Sequence, residues 1–253
     1  MFIARVLPGL PLSLVLAGAL LPAVEPVLNE MKLAPSGPDQ PFQYLEVLGT
    51  PGQALTGHWL VNLDDAGEAV VVVDLGASSL GANGLLVVVA ATGNPYTAAA
   101  GTTVLPNASL NAGAVIKLAK QPTTFLLIQS AIAITAGTDY DADDNGVASW
   151  PIGAVVKDAI GWHEDGDSAI GFVYGPVITV DASHNPDAAT RLFGAGSASS
   201  AAAWFAGMLD LTTGAGASYD PAPRSSGFPQ GGRLTPGALN TVIPVTFEPM
   251  GVL

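Results

Sequence analysis

Apolar and polar residues alternate along residues 27–33, the pattern of a strand with one buried face. Residues 69–75 contain four consecutive valines, which indicates a strand buried on both faces. Other short runs of β-branched, aromatic and aliphatic residues predict further strands at residues 42–48, 58–63, 84–91, 125–129, 154–160, 172–174 and 177–180.

Turn-forming residues separate these runs at intervals of about 8 to 12 residues, the spacing of a sandwich or barrel. The chain contains 30 glycines and 20 prolines, which argues against a helical bundle. The best candidate for a helix is residues 199–209, because this stretch opens with serines, is rich in alanine and places Trp204 and Met208 one turn apart. The low complexity of residues 194–203 equally permits a flexible loop. We therefore predict an all-β fold with little helix and with long loops rich in Gly, Pro and Ala.

The first 24 residues have the pattern of an export signal. Arg5 provides a positive charge, no acid occurs before Glu25, and residues 6–24 are apolar except for Ser13. Small residues at 17–19 suit a signal peptidase. A retained membrane anchor and an apolar first strand are the alternatives. We expect a secreted or cell-surface protein that has no membrane contact once the signal is cleaved.

Composition and charge exclude several classes of function. The chain of 253 residues suits one large β domain, or two small ones at most. It carries 8 basic and 21 acidic residues, a net charge of -13, so it lacks the basic surface that binds nucleic acid. The absence of cysteine excludes thiol catalysis, disulfides and cysteine-based metal sites.

Six short motifs, taken in their order, resemble those of lamin-tail-like domains: V-L-N-E at 27–30, Q-Y-L-E-V-L at 43–48, L-T-G-H-W-L-V at 55–61, G-L-L-V-V-V at 84–89, V-K-D-A-I-G-W at 156–162 and L-T-P-G-A-L-N at 234–240. Gln43 replaces an acid that is usual in the family. The resemblance implies an immunoglobulin-like β-sandwich over residues 25–240, with an insertion at about 105–154 and a tail at 241–253. It also implies export in bacteria, where such domains accompany secreted nucleases and phosphoesterases or belong to cell-surface proteins.

An acidic loop carries the sharpest local signal for a bound ion. Asp141, Asp143 and Asn145 occupy positions 1, 3 and 5 of a calcium-loop pattern, and Gly146 occupies position 6. Alternate residues of such a turn direct oxygens toward one point, and the glycine permits the sharp bend. A solvated acidic turn between strands is the alternative interpretation.

The remaining ligands of this calcium site would come from residues near these three. Val147 would offer its carbonyl at position 7, Ser149 its hydroxyl or a water, and Asp139 a spare carboxylate. Ile152 stands where an EF-hand has a bidentate glutamate, so the loop is not a complete EF-hand. The predicted metal ligands are Asp139, Asp141, Asp143, Asn145, Val147 and Ser149, for a calcium ion that stabilises structure.

Other candidate chemistry is weaker. Residues 163–167 form a second acidic turn, for which an ordinary exposed turn is the favoured interpretation. Glu30 and Glu46 are expected to form hydrogen bonds at a sheet edge. The chain lacks the Gly-x-Ser-x-Gly, His-Glu-x-x-His and P-loop motifs, so we predict no catalytic residues.

These features predict an exported, non-catalytic structural or adhesive module of the cell surface or matrix. Its expected partners are other copies of itself or a surface component, and residues 241–253 have the strand propensity to pair with a sheet edge. The alternatives are an accessory domain of a secreted nuclease or phosphoesterase, and a weak metal-dependent hydrolase. A virion decoration protein would share the β fold and the acidity without explaining the signal sequence.

Overall fold

The apolar runs fold into strands that end at Gly, Pro and Asp turns. The computed structural model describes residues 24–33, 43–111, 122–163, 171–178, 188–191, 199–207 and 234–240. Within these ranges the ten strands are β1 (Val27–Lys32), β2 (Tyr44–Leu48), β3 (His58–Leu63), β4 (Ala69–Asp74), β5 (Leu85–Ala90), β6 (Thr103–Asn107), β7 (Thr123–Gln129), β8 (Val155–Trp162), β9 (Ala188–Arg191) and β10 (Trp204–Gly207).

The strands form two sheets. One has six strands in the order β10-β9-β1-β2-β5-β6, and the other has four in the order β4-β3-β7-β8. Neighbouring strands are antiparallel except β5 and β6, which run parallel. β1 and β2 therefore lie in the middle of the six-stranded sheet.

The main core lies between the sheets and follows from the two-residue period of the strands. Leu28 and Val47 of the six-stranded sheet belong to the same buried cluster as Leu127 and Phe125 of the other. Trp162 is fully buried there, with its ring 5.8 Å from that of Phe125. Removing these large side chains from water supplies most of the driving force for folding.

The outer faces of both sheets also carry buried apolar clusters. On the four-stranded sheet, Leu126 and Ile128 pack with Ile134 and Tyr140 from the segment that joins β7 to β8. On the six-stranded sheet, a third cluster includes Val87, Val89 and Leu234, with Tyr96 and Ala98 packed against it. Loops thus cover surfaces that a simple sandwich would expose, and all six residues of β5 are buried.

The predicted all-β sandwich is confirmed. Seven of the predicted strands occur at residues that the structure assigns to strands, including those of β1, β2, β3 and β5. β7 lies within residues 105–154, the range that the resemblance treats as an insertion, yet it is an inner strand of the four-stranded sheet. Among the described residues, no helix has the length and apolar character needed to cross a membrane.

Three expectations for secondary structure are wrong. Residues 201–203 form one turn of 3₁₀ helix and Trp204–Gly207 is strand β10, where a helix is expected over residues 199–209. The pairing of β10 with β9 overrides the helix preference of the alanines. Residues 172–174 are not a strand. Of the strand expected over residues 177–180, Val177 makes a single bridge to Gly161, and residues 179–180 lie outside the described residues.

The third error concerns β4, which is buried on alternate residues rather than on both faces. It is an edge strand, so its second face is less covered than that of an inner strand. The expectations for residues 1–23 and for the tail at 241–253 lie outside the described residues.

Candidate functional site

The acidic loop, residues 139–149, lies between β7 and β8 and is attached to the turn that joins β3 to β4. The N–H of Tyr140 donates to the carbonyl of Gly67 at 2.9 Å, and the N–H of Ser149 donates to the carbonyl of Tyr140 at 2.6 Å. The buried Tyr140 ring packs 4.7 Å from the ring of Trp150. Packing therefore fixes both ends of the loop.

Asp141 is the centre of the loop. Its buried carboxylate accepts hydrogen bonds from the N–H of Asn145 at 3.1 Å, the N–H of Gly146 at 2.8 Å and the hydroxyl of Tyr174 at 2.9 Å. Burial acts to raise the pKa of Asp141, but these three donors outweigh burial and hold that pKa below its ordinary value. Asp141 is therefore ionised at neutral pH.

The other predicted ligands are joined to one another within the loop. Asp139 accepts from the N–H of Asp141 at 2.8 Å. Asn145 donates its amide to Asp143 at 2.7 Å and accepts from the N–H of Val147 at 2.8 Å. Asp139, Asp143, Asn145, Val147 and the backbone-anchored Ser149 are exposed.

Two glycines allow the close approach of neighbouring segments to this loop. Gly146 has φ of 80°, and a Cβ there would lie 2.9 Å from the ring of Phe172. Gly67 has φ of 84°, and a Cβ there would lie 2.6 Å from Cβ of Asp141. Both contacts are far shorter than ordinary packing distances, so these positions need glycine.

The loop is folded through its own hydrogen bonds, with oxygens from Asp141, Asp143 and Asn145 close in sequence and linked in space. Within the part of the chain that the structure describes, no three His, Asp or Glu side chains are grouped closely enough to hold a metal ion. A calcium ion here would depend on side-chain amide and carbonyl oxygens in addition to the carboxylates. Calcium binding stays a prediction. Of the second acidic turn, residues 164–167 lie outside the described residues.

A second polar site is fully buried. Glu30 on β1 and Glu46 on β2 pair directly across the middle of the six-stranded sheet, and both side chains are excluded from solvent. The expectation that they lie at a sheet edge is therefore wrong. Glu30 precedes the core residue Met31, after a register shift that separates it from Leu28, and Glu46 lies between the core residues Leu45 and Val47. Both therefore lie on the outer face, which another part of the chain covers.

Residues 234–240, which we call the closing segment, cover this carboxyl pair. Glu30 accepts from the N–H of Thr235 at 2.8 Å, and Glu46 accepts from the N–H of Gly237 at 2.5 Å. The amide of Asn240 donates to the carbonyl of Asn29 at 3.0 Å. The chain thus closes onto its own first strand through backbone and side-chain hydrogen bonds.

The sheet supplies the other donors to the pair. Glu30 accepts from the hydroxyl of Tyr44 at 2.7 Å and from that of Thr190 at 3.0 Å, while Glu46 accepts from the amide of Asn29 at 2.5 Å. Burial raises the pKa of Glu30 to about 7. Burial, and then the charge of Glu30, raise the pKa of Glu46 as well.

A buried ion pair connects the two sheets. The carboxylate of Asp158 on β8 binds the guanidinium of Arg191 on β9, and it accepts from the N–H of Leu28 at 2.9 Å and of Ser199 at 2.5 Å. The guanidinium lies 4.8 Å from the centre of the Trp204 ring. Asp158 and Arg191 are therefore structural, and each satisfies groups from both layers.

Sequence reasoning missed the carboxyl pair, Tyr174 and the Asp158–Arg191 ion pair. The motifs of the resemblance contain Glu30, Glu46 and the closing segment, but a motif does not show that these residues meet. The structure brings the first, second and last motifs together at one buried network. No protein-family model, curated protein or solved structure matches the chain.

Proposed function

We propose that this protein is an exported, non-catalytic structural or adhesive module that associates with copies of itself. The observation that carries the proposal is an exposed apolar tip, formed by Ile132, Ile152 and Val155. Their exposed fractions are 51%, 95% and 54%. Large apolar side chains exposed to this degree on neighbouring segments are typical of a protein contact surface.

The strand register places these three side chains at one end of the sandwich. Gln129 at the end of β7 pairs with Val155 at the start of β8, and Ile132 follows three residues after Gln129. Ile152 lies in the turn closed by the N–H of Ala154 and the carbonyl of Pro151 at 3.0 Å. Ile132 and Ile152 therefore each lie three residues along the chain from the Gln129–Val155 pair, at the end of the sheet where β7 leads into β8.

The buried polar contacts that hold the sandwich together support a structural role. Buried polar groups join the sheets at Asp158, join the closing segment to the carboxyl pair and join the acidic loop to Tyr174. Calcium bound at the acidic loop would stabilise the sandwich further. The resemblance to lamin-tail-like domains, with their immunoglobulin-like sandwich and export, supports the same proposal.

The experiment is multi-angle light scattering on the protein with the double substitution Ile152→Ser and Val155→Ser. We expect the unchanged protein to form particles larger than a monomer and the double variant to be monomeric, because the substitutions remove the apolar surface without touching the core. Val104→Ser is the matched control, since Val104 is an exposed β-branched residue of the other sheet, with an exposed fraction of 42%.

A monomer in all three samples would contradict self-association. Particles of equal size in all three would contradict association through the apolar tip. Hydrolysis of a phosphodiester by the purified protein, lost in an Asp141→Asn variant, would support the alternative of a metal-dependent hydrolase instead.

A further inference from the structure

We propose that Glu30 and Glu46 hold one proton between them and form a pH-sensitive latch for the closing segment, which is docked most tightly in acidic solution and most weakly in neutral to alkaline solution. This inference concerns the fold itself and is independent of the association proposed above.

Geometry forces the two carboxyl groups to share one environment. They occupy directly paired positions on adjacent antiparallel strands, where side chains on one face lie about 4.5 to 5.5 Å apart at Cβ. Val87 of β5 and Thr190 of β9 extend the same cross-strand row on either side. The pair is therefore enclosed by the sheet below and by the closing segment above.

The hydrogen-bond donors that the structure describes for the pair are neutral. They are the hydroxyls of Tyr44 and Thr190, the amide of Asn29 and the backbone N–H groups of Thr235 and Gly237. Neutral donors stabilise a single negative charge well, but two buried like charges at this spacing repel each other strongly. The pair therefore keeps one proton while it is covered.

The charged and titratable neighbours come from each element packed around the pair. Lys32 lies two residues from Glu30 on β1, and Tyr44 lies two residues from Glu46 on β2. The Tyr96 ring lies 4.9 Å from the Tyr44 ring. On β9, the backbone carbonyl of Arg191 accepts a hydrogen bond from the side-chain amide of Asn240 at 2.6 Å. These are the charged and titratable side chains that the structure describes on the elements around the pair.

Loss of the one proton that the pair holds favours release of the closing segment, because water can reach both carboxylates once this segment leaves. Burial raises the pKa of Glu30 to about 7 from an ordinary value of 4.5. For an acid whose pKa is raised in the covered state, the stabilisation is complete below the ordinary value and is lost as the pH rises through the raised value. Docking should therefore weaken as the pH rises from about 4.5 to about 7, and change little above that.

The test is amide hydrogen exchange of Thr235 and Gly237, measured by NMR between pH 6 and 8.5 and corrected for the intrinsic pH dependence of exchange. We expect their protection to fall about tenfold over this range, because the docking equilibrium changes about tenfold for each pH unit below the raised pKa of about 7 and levels off above it. The amide of Leu127, in the middle of β7, should keep its protection. Constant protection at Thr235 and Gly237 would overturn the latch.

The Glu30→Gln variant removes the shared proton while it keeps the hydrogen bonds that Glu30 makes. A glutamine can accept from Tyr44 and Thr235 through its oxygen and donate to Thr190 through its nitrogen. One carboxylate then remains, so we expect the closing segment to stay protected up to pH 8.5. Release equal to that of the unchanged protein would contradict the proposal. Glu68→Gln, at an exposed glutamate, is the control and should release as the unchanged protein does.

A carboxyl titration of the unchanged protein keeps the proposal testable if the variant does not fold. The ¹³C shifts of Glu30 and Glu46 should show one proton retained by the pair above pH 6. Complete ionisation of both groups near the ordinary pKa of 4.5 would overturn the latch.

Discussion

Asp158 connects the two layers of the sandwich through one side chain. Its carboxylate lies on β8, while its donors Leu28 and Arg191 belong to β1 and β9 of the other sheet. Burial raises the pKa of Asp158 even though Arg191 acts to lower it. The buried carboxylate has therefore lost favourable hydration, which its partners must offset. Such a pair is most sensitive to the loss of one member, because the remaining charge stays buried without its partner.

We therefore predict that Asp158→Ala lowers the free energy of unfolding by about 3 to 5 kcal/mol. Asp158→Asn should cost less, because an amide oxygen can still accept from Leu28. Urea denaturation followed by tryptophan fluorescence measures both values. Asp74→Asn, at an exposed residue of β4, should change stability by no more than about 0.5 kcal/mol. Equal stability of Asp158→Ala and Asp74→Asn would mean that Asp158 does not fasten the sheets.

At the level of elements, the turn that joins β3 to β4 supports the acidic loop. Gly67 and Gly52 both have positive φ, at 84° and 73°. A Cβ at Gly67 would collide with Asp141, whereas nothing lies within 4 Å of a Cβ built at Gly52. The two glycines therefore separate the cost of an unfavourable backbone conformation from the cost of a collision.

We predict that Gly52→Ala lowers the free energy of unfolding by about 1 kcal/mol, since the left-handed conformation alone costs a non-glycine residue about 1 to 2 kcal/mol. Gly67→Ala should cost more, because Asp141 must also move. The second measurement is the fluorescence of Trp150, which packs on the loop and should change in Gly67→Ala alone. If the two variants lose equal stability and share one spectrum, the turn does not position the loop.

The sequence predicted seven of the ten strands that the structure describes, because their apolar runs are bounded by turns. Of the other three, β10 was expected to be helix, and β6 and β9 went unpredicted for local reasons. β6 contains Pro106 and pairs in parallel at a sheet edge, and β9 begins with two alanines, which carry little strand signal. Both are strands because a neighbouring strand pairs with them, and sequence periodicity does not report that pairing.

The two candidate sites also differ in whether the sequence alone could reveal them. The acidic loop is visible because its residues are adjacent in sequence. Glu30 and Glu46 lie on the outer face of their strands, so alternation makes them look exposed. They are buried because a segment about two hundred residues later covers them, with Gly237 bonded to Glu46 across 191 positions. Long-range covering of this kind is set by tertiary packing, which a single sequence does not reveal.

At the scale of the whole molecule, charge opposes association and the apolar tip favours it. A net charge of -13 makes copies of the chain repel one another, and salt screens this repulsion. Added calcium would therefore strengthen association simply by raising the ionic strength. Calcium must be tested at constant ionic strength, and against magnesium, before an effect is assigned to the acidic loop.

We predict that 10 mM calcium at constant ionic strength stabilises the protein by about 1.4 to 2.7 kcal/mol, the linkage value for a dissociation constant of about 10⁻³ to 10⁻⁴ M. Thermal unfolding measures this as a rise in Tm, which magnesium should not match. Asp143→Asn should remove the rise, because Asp143 is an exposed residue of the proposed calcium site and its carboxylate contacts Asn145. Asp74→Asn makes the same chemical change away from the loop and should keep the rise. If calcium and magnesium act alike, or if both variants respond alike, the acidic loop is a hydrogen-bonded turn and the sandwich is stabilised without an ion.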